Sequence, residues 1–300
     1  MMQRFIITAI LLSAIFVCHS YETTSLKSQL ESIIAEYKAT IGIAVSDDHD
    51  TIAVINNDIR YPMMSVFKVH VALTALKKMQ SERISPDSIV LIPEEYLRYG
   101  TYSPLRDATG GKSVSLPLRE IIDYTISLSD NNTCDYLIEF CGGTENINDF
   151  IKSIGIGETN ITCTEDDMHR DINYCHNNWA TPTSIIRLLQ YIYNGKIING
   201  TYLNCLMQSM LATSTGMDKL RRGIPEDIAL AHKTGSSDRL PNGVKIGDND
   251  VGIIFMPDGR LLYLAVFITN STENDTTNAF IISQIANCVI KYINQASSAN

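Results

Sequence analysis

Ile41-Gly-Ile-Ala-Val-Ser46 and Thr51-Ile-Ala-Val-Ile-Asn56 are two short apolar runs on either side of the polar turn Asp47-Asp-His-Asp50. Runs of this length, bounded by turn residues, predict a β-hairpin. Three similar runs occupy residues 228–233, 250–256 and 261–269, and the tight turn Pro257-Asp-Gly259 joins the last two. Because strands occur at both ends of the chain, we expect one antiparallel sheet that both ends build.

Helical periodicity dominates the chain between these strands. Apolar residues recur at helical spacing in residues 25–38, 65–80, 118–128, 133–141, 183–193 and 278–294. The pattern predicts an α+β fold with three layers, α/β/α. Residues 21–60 and 210–300 would form an α/β subdomain, and residues 61–209 an all-helical subdomain inserted into it. Ligand sites tend to lie between packed subdomains, so we expect the functional site at their seam.

Residues 1–20 have the layout of a cleaved secretory signal peptide. A single basic residue, Arg4, precedes an apolar run at residues 5–17, and small or polar residues follow. The run is too short to span a bilayer. We therefore expect a periplasmic or secreted protein with no membrane contact after cleavage. A buried N-terminal helix or a retained anchor is the alternative.

The charge balance excludes several classes of partner. The chain has 24 basic and 33 acidic residues, and loss of Arg4 with the signal leaves a net charge of −10. An acidic protein of this kind is a poor partner for nucleic acid or an anionic membrane surface. We expect a monomer that acts on small molecules.

The cysteines and histidines do not predict a metal site. The six cysteines after the signal lack C-x-x-C spacing, and the histidines are scattered. We therefore expect no metal or organic cofactor. Cys163 and Cys175 bracket an acidic segment, and we interpret them as candidates for a disulfide, since an exported protein can form one. Six free thiols are the alternative.

Three polar motifs occur in fixed order: Ser65-Val-Phe-Lys68, Ser129-Asp-Asn131 and Lys233-Thr-Gly235. Ser65 stands where a helix is predicted to begin, and Lys68 lies one turn along the same face. A buried amine there can take the hydroxyl proton or pass it on, and a helix N-terminus offers N–H groups to an oxyanion. Taken alone, each motif also fits an ordinary helix start, N-cap or strand end.

Together with Glu165-Asp-Asp-Met-His169, the three motifs resemble those of the class A serine β-lactamases. The resemblance covers nearly the whole chain after the signal and implies the fold shared by serine β-lactamases and penicillin-binding proteins. It also implies an enzyme without a cofactor, which opens β-lactam rings through an acyl-enzyme on Ser65. Glu165 would then activate the water that hydrolyses the ester.

The resemblance assigns the other site residues in the same way. Lys68 and Ser129 would move protons, and Lys233 would supply positive charge. The backbone N–H groups of Ser65 and Ser236 would form the oxyanion hole. Substrate contacts would come from Asn131, Thr234, Tyr102 and Lys219, the last at a position where some relatives carry a carboxylate-binding arginine. Asp130 would be structural, and the acylation base, Lys68 or Glu165, stays open.

Three residues depart from the common class A pattern. Asp166 replaces a proline, His169 replaces an asparagine, and Asp135 stands where an asparagine usually supports the loop that carries the glutamate. These departures resemble the extended-spectrum and cephalosporinase branch, which implies oxyimino-cephalosporins among the substrates. In that branch His169 would orient the water or Glu165. A loop-packing histidine is the alternative.

Two other functions share the first three motifs. A D,D-peptidase or penicillin-binding protein would keep a long-lived acyl-enzyme, and a non-catalytic protein of the same fold would sense β-lactams or peptidoglycan. Glu165 favours the hydrolase, because an acyl-enzyme ester persists unless a base activates water against it.

Overall fold

A computed structural model describes residues 25–298. Its strands are β1 (Thr40–Ser46), β2 (Thr51–Ile55), β3 (Tyr61–Pro62), β4 (Ile89–Ile92), β5 (Val114–Pro117), β6 (Thr159–Asn160), β7 (Trp179–Ala180), β8 (Ala229–Ser236), β9 (Asp248–Phe255) and β10 (Leu261–Thr269). Its helices are α1 (Leu26–Ile34), α2 (Lys68–Glu82), α3 (Pro104–Thr109), α4 (Leu118–Ile126), α5 (Asn131–Phe140), α6 (Thr144–Ser153), α7 (Glu165–Arg170), α8 (Pro182–Tyr193), α9 (Gly200–Leu211), α10 (Leu220–Gly223) and α11 (Asp275–Ser298).

The main sheet has five strands in the order β2-β1-β10-β9-β8, and every neighbouring pair is antiparallel. The N-terminal hairpin therefore pairs with the C-terminal strands through β1 and β10, with Thr40 opposite Thr269 and Ser46 opposite Tyr263. The predicted sheet built from both ends of the chain is confirmed.

Both faces of this sheet are covered. In β10, Leu262, Leu264, Val266 and Ile268 belong to a core shared with α1 and α11, whereas Tyr263, Ala265 and Phe267 belong to the core that contains α2 and α8. Successive side chains of a strand point to opposite faces, so one strand supplies both cores. This explains why β10 is an unbroken apolar run, and it produces the predicted α/β/α layering.

Residues 61–209 pack mainly as helices around α2, a helix that is buried over most of its length. The expectation of an all-helical segment needs one correction, because β4 pairs with β5 and β7 joins β3 to β6. These strands have only two to four residues. Runs so short carry no period in the sequence, and they pair backbone groups in the links between helices. The subdomain boundaries stay predictions.

The expected disulfide between Cys163 and Cys175 is wrong, because all six cysteines of the described chain are free thiols. Both residues are buried, and burial raises the pKa of Cys175 to about 12. Asn178 connects the two ends of this loop instead. Its Oδ1 accepts from the backbone N–H groups of Thr162 and Cys163, both at 2.9 Å, and its Nδ2 donates to the Cys163 carbonyl at 2.8 Å.

The predicted signal peptide at residues 1–20 lies outside the described residues. Within residues 25–298, no helix combines the length and the apolar character needed to cross a membrane.

We predict a pH-dependent loss of stability from His70, a fully buried residue of α2. Burial lowers the pKa of His70 to about 4. The unfolded chain, with a pKa of about 6.5, binds more protons between these values, so stability falls as the pH drops from 6.5 to 4. The contribution of His70 to the free energy of unfolding, lost over this pH range, is on the order of 3 kcal/mol.

Urea unfolding of the wild type and of His70→Leu at pH 7 and at pH 4.5 measures this contribution. We expect the variant to lose less stability on acidification than the wild type. Equal losses in the two proteins would contradict the assignment.

Candidate active site

Ser65 lies at the junction between the main sheet and the helical segment. It belongs to a short 3₁₀ helix, Met64–Phe67, that leads directly into α2. Met64, Val66 and Phe67 are buried, whereas Ser65 is partly exposed. Buried neighbours on both sides hold the turn in place, and the hydroxyl of Ser65 stays accessible.

Lys68, at the start of α2, is 0% exposed. Its Nζ donates to the Ser129 carbonyl at 2.7 Å, to Asn131 Oδ1 at 2.6 Å and to Ser129 Oγ at 3.4 Å. These contacts join the first motif to the second. Asn131 Nδ2 also donates to Thr101 Oγ1 at 2.8 Å.

The Ser129 hydroxyl lies between two buried lysines. Lys233 Nζ donates to Ser129 Oγ at 2.9 Å and to the Thr234 carbonyl at 2.9 Å. Burial, with the Lys68 ammonium nearby, lowers the pKa of Lys233 well below its ordinary value. An amine in this state can exchange a proton with the hydroxyl more readily than an exposed lysine can.

Asp130 supports this arrangement from behind. It is fully buried, and its Oδ2 accepts from Ser103 Oγ and from the Leu105 N–H, both at 2.8 Å. Its Oδ1 caps α5 by accepting from the Thr133 N–H at 2.9 Å. These contacts fit the structural role that the resemblance implies for Asp130.

Glu165 begins α7, whose first turn is closed by a capping box between Thr164 and Asp167. Glu165 is buried, and its Oε1 lies 2.9 Å from Lys68 Nζ. Among the described residues, no donor forms an aligned hydrogen bond with this oxygen. A carboxylate held beside the buried lysine with a free lone pair can accept a proton from a water molecule.

Asp135 holds the backbone of Glu165 in place. Its two carboxylate oxygens accept from the Glu165 N–H at 2.8 Å and from the Asp166 N–H at 3.0 Å. The departure from asparagine at this position therefore keeps the loop anchored. A carboxylate can accept at both oxygens, whereas an amide can accept at only one.

The third motif reaches the serine through Gly235. A β-carbon on Gly235 would lie 2.6 Å from the Met63 carbonyl oxygen and 2.8 Å from the Ser65 nitrogen. Only glycine allows β8 to approach the 3₁₀ turn so closely. Gly235 is thereby kept against the backbone nitrogen of Ser65.

Asp248 and Thr215, which the sequence did not single out, complete this edge of the site. Lys219 Nζ donates to Asp248 Oδ1 at 2.5 Å and to Ser236 Oγ at 2.8 Å, and Ser236 Oγ donates to the same Asp248 oxygen at 2.8 Å. Thr234 Oγ1 shares a hydrogen bond of 2.6 Å with Thr215 Oγ1. Asp248 thus compensates the Lys219 charge that was expected to attract a substrate carboxylate.

Tyr102 and His169 lie on the exposed edge of this region. Tyr102 is 56% exposed, and its carbonyl accepts from the Asn131 N–H at 3.0 Å. His169 is exposed on α7, and its Nε2 lies 3.7 Å from the position of a β-carbon on Gly100. Among the described residues, no hydrogen bond joins His169 to Glu165. The role of His169 in orienting Glu165 or the water stays a prediction.

Within residues 25–298, no group of three or more histidine, cysteine, aspartate or glutamate side chains is arranged to hold a metal ion.

Comparisons with known proteins agree with this geometry. The model of the β-lactamase enzyme family matches residues 25–293. A β-lactamase of Bacteroides uniformis is 41% identical over 274 residues, which cover 91% of this chain and 93% of the relative. The extended-spectrum β-lactamase PER-1 of Pseudomonas aeruginosa is 35% identical, and the match covers 91% of this chain and 90% of that protein.

Solved structures agree as well. The crystal structure of a class A β-lactamase from Bacteroides cellulosilyticus matches with a TM-score of 0.88 and 42% identity, over 90% of this chain and 97% of that chain.

We predict that Gly235→Ala slows acylation of Ser65 by about 100-fold, because the added methyl group would push β8 away from the Ser65 nitrogen and disrupt the oxyanion hole expected from the sequence. Stopped-flow labelling with a fluorescent penicillin measures this rate. Gly157→Ala is the matched control, since a β-carbon there meets nothing within 4 Å. Equal labelling rates for the two variants would contradict the close-approach argument.

Proposed function

The chain belongs to the class A β-lactamase family and hydrolyses the β-lactam ring, and from this premise we propose that Ser65 forms the acyl-enzyme and that Glu165 activates the water that releases it. The observation that carries this proposal is the 2.9 Å contact between Lys68 Nζ and Glu165 Oε1, one turn away from Ser65. It connects the nucleophile's lysine directly to the carboxylate.

In acylation, Ser65 Oγ attacks the β-lactam carbonyl carbon. Its proton passes through water to the ionised Glu165, or to Lys68 after the Lys68 ammonium has given a proton to Glu165 across their 2.9 Å contact. The ring C–N bond then breaks, and an ester on Ser65 forms. The ring nitrogen takes its proton from Ser129 Oγ, which lies between Lys68 and Lys233. Lys68 returns a proton to Ser129, and Glu165 returns one to Lys68, so Glu165 is ionised again before deacylation.

In deacylation, water attacks the ester carbonyl, and Glu165 takes its proton. The bond to Ser65 Oγ breaks, and that oxygen recovers the proton that Glu165 took, directly or through Lys68. The oxyanion of each tetrahedral intermediate is bound by the backbone N–H groups of Ser65 and Ser236, which would lower the barrier by about 3 kcal/mol. The burial of Glu165 beside Lys68, with 2.9 Å between Oε1 and Nζ, supports its assignment as the base.

Substrate binding is assigned to residues around this centre. Lys233 supplies positive charge to the site, and Thr234 binds the substrate carboxylate. Asn131 binds the side-chain amide of the substrate, and Tyr102 flanks the bound molecule. Lys219 acts through Ser236, because Asp248 already compensates its charge. His169 contributes at the exposed end of α7.

The proposed substrates include oxyimino-cephalosporins as well as penicillins. Relatives with names that denote extended-spectrum enzymes support this range, as does the presence of Asp135 and Asp166 in place of the common residues. Comparison of kcat/KM for cefotaxime and benzylpenicillin with the purified enzyme tests it.

We also propose that the mature protein is a periplasmic or secreted monomer that binds neither nucleic acid nor membranes. The net charge and the layout of residues 1–20 support this. Intact-mass measurement of the exported protein tests the cleavage, and a mature chain that retains residues 5–17 would contradict it.

We predict that Glu165→Gln accumulates acyl-enzyme, because the amide cannot accept the proton of the hydrolytic water. Deacylation should slow by about 10³-fold, within the range for loss of a general base. Pre-steady-state kinetics with a chromogenic cephalosporin should show one burst per enzyme, and intact mass should show the adduct.

Ser65→Ala should show neither burst nor adduct. Glu145→Gln, a change at an exposed glutamate on α6, should behave as the wild type. Normal turnover by Glu165→Gln would mean that another group is the deacylation base. A wild type that stops after one burst would instead indicate a penicillin-binding protein.

A further inference from the structure

Asp135, which binds the backbone at Glu165, is itself a buried charged residue. Asp135 is 8% exposed, and it lies close enough to Glu165 for the two negative charges to repel each other. An ionised carboxylate in such a place is costly unless an opposite charge or several donors compensate it. The two N–H groups of Glu165 and Asp166 supply part of that compensation.

Arg98 supplies the rest. Its guanidinium donates to Asp135 Oδ2, and its Nε lies 3.6 Å from Asp166 Oδ1. One cation thus contacts the carboxylate under Glu165 and the carboxylate of the following residue. The Arg98 side chain is 34% exposed, so it reaches this position from the surface without being desolvated fully.

We propose that Arg98 is a positioning residue for deacylation, which acts by keeping Asp135 ionised so that Asp135 can hold the backbone of Glu165. The inference rests on the proposed role of Glu165. It follows from what the neighbourhood of Asp135 contains. The described contacts around both of its oxygens are N–H donors, so an ionised carboxylate satisfies all of them.

Protonation would break this arrangement. A protonated carboxyl group carries an O–H donor, and that donor would face the N–H groups of Glu165 and Asp166 instead of an acceptor. At least one of the two backbone hydrogen bonds would be lost. Glu165 could then move away from Lys68 and from the hydrolytic water, which would slow deacylation without touching Ser65.

The balance of charges makes this protonation accessible. Burial, with Glu165 nearby, raises the pKa of Asp135 to about 6, even though Arg98 and the backbone donors oppose the shift. Other charged groups around it are Glu165 and Asp166 on α7, Glu139 one turn further along α5, and Lys68 beyond Glu165. Without Arg98, the negative charges around Asp135 would outweigh the positive ones, and protonation of Asp135 would become easier.

The substitution Arg98→Ala tests the proposal, since the backbone of this residue keeps its own contacts. The Arg98 carbonyl accepts from Arg106 Nη1 at 2.9 Å and from Asn132 Nδ2 at 3.1 Å, and neither contact needs the Arg98 side chain. Arg170→Ala is the matched control. Arg170 also pairs with Asp166, at 3.2 Å, and with Asp167, but its described contacts do not include Asp135.

Acylation and deacylation rates are measured separately between pH 5 and 8. For Arg98→Ala we expect the acid limb of the pH profile of deacylation to move up by roughly one pH unit, so that deacylation at pH 6 is about 5-fold slower. With Lys68 as the acylation base, the acylation rate of this variant should stay within about 2-fold of the wild type, because the contacts of Ser65 are unchanged. Arg170→Ala should change neither the two rates nor the pH at which deacylation begins to slow.

The double variant Arg98→Ala/Asp135→Asn separates positioning from a merely structural role. An amide carries no charge that needs a cation, and its oxygen can still accept from the Glu165 N–H. We therefore expect this variant to deacylate faster at pH 6 than Arg98→Ala. The pH profile of its deacylation should match that of the single variant Asp135→Asn. If Arg98→Ala matches Arg170→Ala, or if the double variant shows no rescue, the proposal is wrong.

Glu165→Gln measured in parallel keeps this outcome distinct from the proposed function. If Glu165→Gln accumulates acyl-enzyme while Arg98→Ala matches Arg170→Ala, only the positioning role fails. If Glu165→Gln turns over normally, the role of Glu165 fails, and the inference about Arg98 fails with it.

Discussion

The burial of the Lys68 ammonium is the constraint on which this active site depends. A cation taken out of water needs oxygen atoms around it, and here they come from two separate parts of the chain. Residues 129–131, at the start of α5, supply the Ser129 carbonyl and Asn131 Oδ1, and α7 supplies Glu165 Oε1. One side chain at the start of α2 thus brings together the segments that carry the proposed nucleophile, proton carrier and base.

A second buried lysine extends this arrangement to the main sheet. Lys233 on β8 reaches the same Ser129 hydroxyl, so the helical segment and the sheet meet at one oxygen atom. Burial, and next to it the positive charge of Lys68, lowers the pKa of Lys233 well below its ordinary value. The chemistry therefore results from packing across the seam, and no single motif contains it.

The loop that carries Glu165 depends on polar contacts where a covalent link was expected. Asn178 connects its two ends, and Asp135 binds the backbone at Glu165 and Asp166. Both are buried side chains whose hydrogen-bonding groups match the backbone groups that face them. A remodelled loop sequence can thus hold Glu165 beside Lys68, provided that the charge of Asp135 is compensated.

The sequence by itself determined the fold class, the sheet built from both ends of the chain, and the residues of the three motifs with Glu165. These features are carried by local patterns, namely alternating apolar runs, helical periods and short fixed spacings, so one chain suffices to find them. Tertiary structure alone decided that Cys163 and Cys175 stay thiols, that Asn178 closes the loop, and that Asp248 and Arg98 compensate Lys219 and Asp135. The paired residues are 29 and 37 positions apart. Such contacts leave no period or spacing in the sequence, because they exist only after the elements have packed.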